Sequence, residues 1–152
     1  MNSFYRFFYH LARLVLGAVF IYASLDKILN PGAFAQAVFN YQVLPGELVN
    51  LTALILPWLE LILGACLLSD RWMTGASSLT AVLMAVFMGL IFFNLARGLD
   101  ISCGCFSTNP DEGPMDKLTL LRDSLFFILA LCLAGLTYYK KTAHNKNQLY
   151  IV

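Results

Sequence analysis

Long apolar runs separated by short polar segments dominate the pattern of hydrophobic and polar positions along the chain. Four runs cover about residues 11–29, 48–68, 73–97 and 118–139. Each can cross a bilayer as a helix, since roughly 20 apolar residues span about 30 Å of hydrocarbon. The pattern therefore predicts an all-α integral membrane protein, an antiparallel four-helix bundle with both termini on the same side of the membrane.

The segments outside these runs differ from one another. Residues 30–47 mix apolar and polar positions, which is typical of a short helix lying along the membrane interface. A four-helix domain over residues 1–141 is followed by a polar tail, 142–152, for which we expect no helix. The first run also admits interpretation as a secretory signal peptide, although Tyr22-Ala23-Ser24 is a poor cleavage motif.

The overall composition agrees with a protein embedded in lipid. Hydrophobic residues make up 59% of the 152 residues, charged residues make up 12%, and the mean hydropathy is +0.71. A soluble domain of this length cannot bury so much apolar surface. The net charge of +1 provides no basic surface for nucleic acid, so nucleic-acid binding is excluded.

The distribution of Lys and Arg favours one orientation in the membrane. The side that holds both termini carries six of the ten: Arg6, Arg13, Arg71, Lys140, Lys141 and Lys146. The opposite side carries four: Lys27, Arg97, Lys117 and Arg122. Cytoplasmic segments are enriched in these residues. We therefore expect a bacterial inner-membrane protein with cytoplasmic termini, whose loop between the third and fourth runs faces the periplasm, where disulfides persist.

That loop contains the motif Cys103-Gly104-Cys105. Two thiols one residue apart can close a very small, strained ring, and Gly104 gives the backbone the freedom to do so. Strained, exposed disulfides exchange readily, so Cys103 and Cys105 are the candidate catalytic residues for thiol–disulfide exchange. Arg97 and Arg122, which flank the loop, are expected to lower the pKa of a thiol there.

Other interpretations of the cysteines stay open. A metal site needs about four ligands, and neither His10 nor His144 belongs to the loop, so zinc would require ligands from a partner chain. A structural disulfide or an idle thiol pair is the other alternative. Cys66 and Cys132 lie in apolar runs, where a thiol usually behaves as a small hydrophobic side chain.

A second candidate site centres on Glu60, an ionisable residue in the middle of the second run. Such residues are costly in hydrocarbon and normally face the bundle interior beside a partner. Judged by depth, Lys27 is the expected partner and Arg97 the second choice. Pro57 is expected to kink the helix and so provide a polar pocket, which Asn94 would line unless it bonds across helices.

Glu60 admits both a structural and a functional interpretation. Paired and buried, it would hold helices together. Protonated, it would pass protons during thiol oxidation or bind a quinone head group, which makes a quinone the cofactor to consider. Asp123, beside Arg122 at the start of the fourth run, is explained by the helix dipole alone.

Small residues recur at a spacing of four in the third run, which predicts close helix packing along one stripe. The stripe consists of Ser77, Ala81, Ala85 and Gly89.

Three stretches carry a family resemblance. They are RLVLG at 13–17 with ASLDKI at 23–28, Leu44-Pro45 with PWLELILG at 57–64, and ISCGCF at 101–106 with Arg122-Asp123. Together they resemble the MauE/DoxX group of small four-helix membrane proteins, in particular its MauE-like branch. The third is closely similar to the Cys-Gly-Cys-Phe-Gly signature of that group, except that Ser107 stands where the final Gly is usual.

This resemblance implies a redox-associated membrane protein that assists disulfide formation or maturation in a periplasmic partner, as MauE is thought to do for methylamine dehydrogenase. Other members of the group are linked to quinone-coupled sulfur oxidation. The fold is similar to the four-helix core of vitamin K epoxide reductase, whose Cys-X-X-Cys motif is absent here.

We therefore expect Cys103 and Cys105 to exchange electrons with a thioredoxin-like or other periplasmic redox protein. One alternative is a non-catalytic membrane accessory or maturation subunit. Another is a small-molecule or proton carrier centred on Glu60.

Overall fold

A computed structural model describes residues 3–98 and 117–149, which form five α-helices. These are α1 (Ser3–Leu29), α2 (Pro31–Asn40), α3 (Gly46–Ser69), α4 (Met73–Ala96) and α5 (Lys117–Leu149). Four of them, α1, α3, α4 and α5, are long and apolar enough to cross a membrane. The prediction of an all-helical protein with four possible membrane spans is confirmed.

Predicted and observed helix ends differ most near the two ends of the chain. α1 begins at Ser3, well before the predicted start, because the aromatic residues around Arg6 continue the helix beyond the apolar run. α5 continues to Leu149, so the expectation that no helix follows residue 141 is wrong over that stretch. Residues 142–149 contain neither Gly nor Pro, and a helix that has already nucleated extends at little cost.

α2 occupies the segment for which a short helix was predicted. Pro31 is its first residue, where the missing backbone N–H costs no hydrogen bond. Phe34 and Ala37 are buried, and α2 packs mainly on α3. The helix thus presents one apolar face to the bundle, as the mixed pattern of this segment indicates.

The core lies between α1, α3, α4 and α5. Its buried apolar residues are Tyr9, Ala12, Leu16, Phe20, Leu63, Leu67, Ala76, Ala81, Ala130 and Leu133. Cys66 packs against this core and Cys132 is exposed on α5, and both are free thiols. Neither takes part in a disulfide, which agrees with their interpretation as small hydrophobic side chains.

Two glycines allow a close approach between α1 and α3. A β-carbon added to Gly64 would lie 3.0 Å from the carbonyl oxygen of Gly17 and 2.7 Å from a side-chain carbon of Ile21. A β-carbon added to Gly17 would lie 2.8 Å from the side chain of Leu68. Small residues at such a contact let two backbones pack tightly where lipid removes the hydrophobic driving force.

The predicted small-residue stripe on α4 is buried over only half of its length. Ser77 and Ala81 are buried, and the Ser77 hydroxyl lies 2.9 Å from that of Thr137 on α5. Ala85 and Gly89 are exposed. At about 3.6 residues per turn, each four-residue step rotates the stripe by about 40° around the helix, so its second half leaves the buried face.

Candidate functional site

The motif Cys103-Gly104-Cys105 lies outside the described residues, in the segment between α4 and α5. α4 ends at Ala96, and Gly98 follows in a left-handed conformation with φ of 70°. The thiol–disulfide site therefore stays a prediction, and the structure describes only the helices that flank it.

A buried ion pair joins α1 to α3. The Lys27 ammonium donates to both carboxylate oxygens of Glu60 at 2.8 Å. The two side chains are only 2% and 5% exposed. The pairing expected from their depth is thus present in the structure, and it satisfies both charges where water is excluded.

Two phenylalanine rings complete the surroundings of the Lys27 ammonium. Its nitrogen lies 5.0 Å from the ring centroid of Phe34 on α2 and 5.3 Å from that of Phe87 on α4. Aromatic ring faces attract cations, more strongly when the cation is desolvated. One side chain of α1 therefore contacts a carboxylate on α3 and aromatic rings on α2 and α4.

A small cavity borders this ion pair. Its volume is about 20 Å³, and it is lined by Val19, Phe20, Ala23, Lys27, Glu60, Met84 and Phe87. This is room for about one water molecule. Pro57 lies buried inside the continuous helix α3. The predicted polar pocket is thus reduced to a space too small for a quinone ring.

Tyr41, which follows α2, belongs to a second buried cluster of side chains beside the ion pair. It is buried against Ile91 of α4, and Phe87 packs on the same cluster. Burial, together with the negative charge of Asp123, raises the pKa of Tyr41 to about 12. The hydroxyl therefore keeps its proton at physiological pH. Asp123 itself is buried and lies 3.1 Å from the guanidinium of Arg122.

The helix-dipole explanation of Asp123 is wrong. α5 begins at Lys117, and its first turn holds no acidic residue, whereas the favourable effect of the dipole falls off within that turn. The burial of Asp123 between Tyr41 and Arg122 explains the residue better, because a buried carboxylate requires hydrogen-bond donors or a cation.

Arg97 and Asn94 lie apart from the buried ion pair. Arg97 is exposed, donates to the side-chain oxygen of Gln42 at 3.4 Å and stacks on Phe93. Asn94 is buried, but within the described part of the chain neither amide atom has a hydrogen-bond partner. It does not line the cavity either. Neither role expected for Asn94, lining the pocket or bonding across helices, is found.

A second ion pair lies at the far end of the contact between α1 and α3. Arg13 and Asp70 approach to 2.8 Å, and the Tyr9 hydroxyl donates to the same carboxylate at 2.8 Å. Burial raises the pKa of Asp70, but the hydrogen bond from Tyr9, the ion pair with Arg13 and the positive charge of Lys140 outweigh it. The pKa of Asp70 is therefore held below its ordinary value.

Sequence reasoning missed several of these residues. Phe34, Tyr41 and Phe87 carry no distinguishing signal, because the chain contains 12 Phe and 7 Tyr and residue type alone does not select among them. Arg13 carried a usable signal. It lies within the first apolar run, residues 11–29, where a charge normally faces the bundle interior beside a partner.

Comparisons with known proteins give this arrangement its context. The family model described as "Methylamine utilisation protein MauE" matches residues 5–137. The chain is 32% identical to methylamine utilization protein MauE of Paracoccus denitrificans, over 80% of this chain and 66% of that protein. It is 34% identical to the protein of the same name from Methylophilus methylotrophus, over 84% of this chain and 64% of that protein. The chain thus spans slightly less than two thirds of the length of these relatives. No solved structure matches it significantly.

Proposed function

The chain belongs to the MauE family of methylamine utilisation proteins, and on that premise we propose that it is a membrane accessory protein for the maturation of a periplasmic partner. In this proposal Cys103 and Cys105 cycle between dithiol and disulfide. The observation that supports it most is that both cysteines fall in the polar segment joining two membrane-crossing helices. A thiol pair in that position is available to a partner outside the lipid.

The proposal includes an arrangement in the bacterial inner membrane. The four spans run antiparallel, both termini are cytoplasmic and the cysteine segment faces the periplasm. Contacts between α1 and α3 indicate that these two helices run in opposite directions, since Tyr9 near the start of α1 contacts Asp70 just after the end of α3. Lys27 near the end of α1 meets Glu60, farther back along α3. The six-to-four distribution of Lys and Arg supports the orientation.

Disulfide exchange with a partner conserves atoms, electrons and protons, so this step needs no bound cofactor. A thiolate of the reduced partner attacks the Cys103–Cys105 disulfide, and a mixed disulfide forms. The second partner thiolate then resolves it, so that the partner leaves with a new disulfide and the motif is left as a dithiol carrying both protons. Reoxidation of the motif requires an acceptor of two electrons and two protons, such as a quinone or a thioredoxin-like disulfide protein.

The described residues near the motif act as supports in this proposal. The Lys27–Glu60 pair joins α1 to α3, and the cluster around Tyr41 contacts Ile91 near the end of α4, the helix that precedes the motif. Arg97, at the end of α4, and Arg122, early in α5, favour the thiolate by their positive charge.

The test is to replace both cysteines by serine in the full chain. We expect Cys103→Ser/Cys105→Ser to leave periplasmic substrate proteins reduced, measured by the mobility shift of alkylated thiols. Cys66→Ser/Cys132→Ser is the matched control, because it removes two thiols and leaves the motif intact. Unchanged oxidation in the first variant would exclude redox catalysis and favour a non-catalytic maturation subunit.

A single-cysteine variant identifies the partner. In Cys105→Ser or Cys103→Ser, the remaining thiolate can attack the disulfide of an oxidised, thioredoxin-like partner, which releases the partner's other sulfur as a thiolate. The variant has no second cysteine to resolve the bond, so a mixed disulfide with that partner is expected to accumulate. Non-reducing electrophoresis followed by mass spectrometry of the adduct measures it. The variant that traps the adduct also shows which cysteine attacks.

A small-molecule carrier centred on Glu60 receives less support. The cavity beside Glu60 is about 20 Å³, and the carboxylate already accepts two hydrogen bonds from Lys27. Glu60→Gln separates the two functions, since transport would collapse while disulfide exchange survives.

A further inference from the structure

A groove separate from the buried ion pair opens where α1, α4 and α5 meet the end of α3. Its volume is about 270 Å³, and it is lined by Tyr9, Asp70, Met73, Thr74, Thr137, Lys140 and Lys141. None of these residues belongs to the Lys27–Glu60 pair or to the cysteine motif.

The groove lies at the depth where the apolar segments end. Asp70 directly follows the third helix, whose span ends at Ser69, and the next span begins at Met73. Lys140 and Lys141 stand just before Thr142, where the last span ends. Phospholipid head groups occupy this depth, immediately outside the hydrocarbon.

Exposed aromatic residues mark the same level. Trp72 and Tyr139 are 85% and 70% exposed, and each lies beside a lining residue in sequence. Trp and Tyr are enriched at the boundary between hydrocarbon and head groups, where an apolar ring and a polar atom are both accommodated.

The groove carries positive charge that the described residues do not balance. Among the residues that line the groove, Asp70 carries the one carboxylate, and this carboxylate is already bound by Arg13 and Tyr9. Lys140 and Lys141 have no ion-pair partner in the parts of the chain that the structure describes. The Lys140 ammonium lies 5.0 Å from the ring centroid of Tyr9, which holds it at the groove.

We propose that this groove binds the head group of an anionic phospholipid, with Lys140 and Lys141 as cationic partners of the phosphodiester and the Thr74 hydroxyl as a further donor. Basic pockets between membrane-spanning helices attract anionic lipids. A zwitterionic lipid would bring its own cation beside two lysines and is disfavoured. A lipid is favoured over soluble phosphate because the groove lies at head-group depth, between helices whose outer faces are apolar.

The test uses the full chain in phosphatidylcholine nanodiscs, with phosphatidylglycerol added in steps. Native mass spectrometry counts bound lipids, and thermal unfolding measures the stabilisation. We expect phosphatidylglycerol to be preferred by roughly fivefold per lysine and to raise Tm. Lys140→Gln/Lys141→Gln should abolish both effects. Arg6→Gln, which removes an exposed cation outside the groove, should leave both unchanged.

Several results would overturn the proposal. One is an unchanged preference in the double lysine variant, and another is an equal loss in Arg6→Gln, which would indicate general surface charge. Inorganic phosphate that raises Tm as much as the lipid would assign the groove to a soluble anion. If the double glutamine variant fails to fold, the lipid preference is measured in the wild type and in Lys140→Arg/Lys141→Arg, which both keep two cations in the groove. No preference for phosphatidylglycerol in one of these two proteins would contradict the proposed site.

Discussion

Lys27 and Glu60 are each tolerated in the apolar interior because of the other. An isolated buried charge is costly, and the structure gives each of these charges a partner at 2.8 Å. Such pairs need not add to stability relative to apolar side chains of similar size, but removing one member leaves the other uncompensated. The two residues should therefore behave as a unit when they are substituted.

We expect Lys27→Met to lower the free energy of unfolding by roughly 3–5 kcal/mol, because Glu60 would stay buried without its cation. The double variant Lys27→Met/Glu60→Met should recover most of this loss. Unfolding of the purified protein in mixed micelles measures both. Arg97→Gln is the control, since this exposed residue should change stability by less than about 0.5 kcal/mol. A double variant no more stable than the single one would contradict the coupling.

The lowered pKa of the Asp70 carboxyl predicts that the stability of the protein depends on pH. Its neighbours lower its pKa in the folded protein, below the value of about 3.9 expected in the unfolded chain. The resulting stabilisation is fully present above the unfolded value and is lost as the pH falls through the folded one. Asp70→Asn should therefore lower Tm at pH 7, and the difference should shrink below about pH 4.

The size of this effect is limited by exposure. The Asp70 side chain is 43% exposed, so solvent screening should keep its contribution below about 1 kcal/mol. Thermal unfolding of wild type and variant between pH 7 and pH 3 is the measurement. A difference in Tm that stays constant over this range would show that the carboxylate charge contributes nothing.

Helices α1 and α3 pack closely against each other because Gly17 and Gly64 have no side chains at their contact. At Gly64 an added β-carbon would meet backbone atoms, the oxygen of Gly17 at 3.0 Å and the nitrogen of Ile21 at 3.1 Å. At Gly17 the nearest atoms belong to the end of the Leu68 side chain. A side chain can rotate away, whereas a backbone moves only if the helix moves.

We therefore expect Gly64→Ala to destabilise the protein by about 1–3 kcal/mol, as overpacking does, and to cost more than Gly17→Ala. Gly89→Ala is the matched control, because an added β-carbon there meets nothing within 4 Å. That variant should be neutral or stabilising by up to about 1 kcal/mol, since Ala favours helix over Gly. Equal stabilities of the Gly64 and Gly89 variants in the same unfolding assay would refute the close contact.

At the scale of the whole molecule, two groups of polar residues lie toward opposite ends of the bundle. The Tyr41 cluster lies toward the helix ends that flank the cysteine segment, where Tyr41 contacts Ile91 of α4 and the negative charge of Asp123 on α5 helps to raise its pKa. The groove of Lys140 lies where the first and last helices approach the end of α3. In the proposed orientation, the former faces the periplasm and the latter the cytoplasm.

This orientation predicts which thiols are reached from outside. In intact spheroplasts of a Cys66→Ser/Cys132→Ser background, a membrane-impermeant maleimide should label the reduced cysteine motif. A single cysteine introduced at Asn147 into a chain without other cysteines should be labelled only after lysis. The reversed pattern would invert the topology and remove the oxidising environment that the proposed exchange requires.

The length of an apolar run is a local property, so the sequence by itself determined the four spans, the short helix before the second span and the resemblance to the MauE group. The Lys27–Glu60 pairing was also predictable, because a charge in hydrocarbon requires a partner at its own depth. The cysteine motif was recognised from its spacing, its position in the polar loop and its likeness to the family signature, and its exchange chemistry stays a prediction.

Only the tertiary structure decided which faces of the helices meet. The rings over Lys27, the contact of Gly17 with Gly64, the burial of Asp123 beside Tyr41 and the groove of Lys140 each join residues far apart in the chain. Their formation depends on how each helix is rotated about its axis, which follows from the packing of all the helices together. A run that is apolar all round carries no pattern that fixes this rotation, and α4, whose predicted stripe was half exposed, shows the consequence.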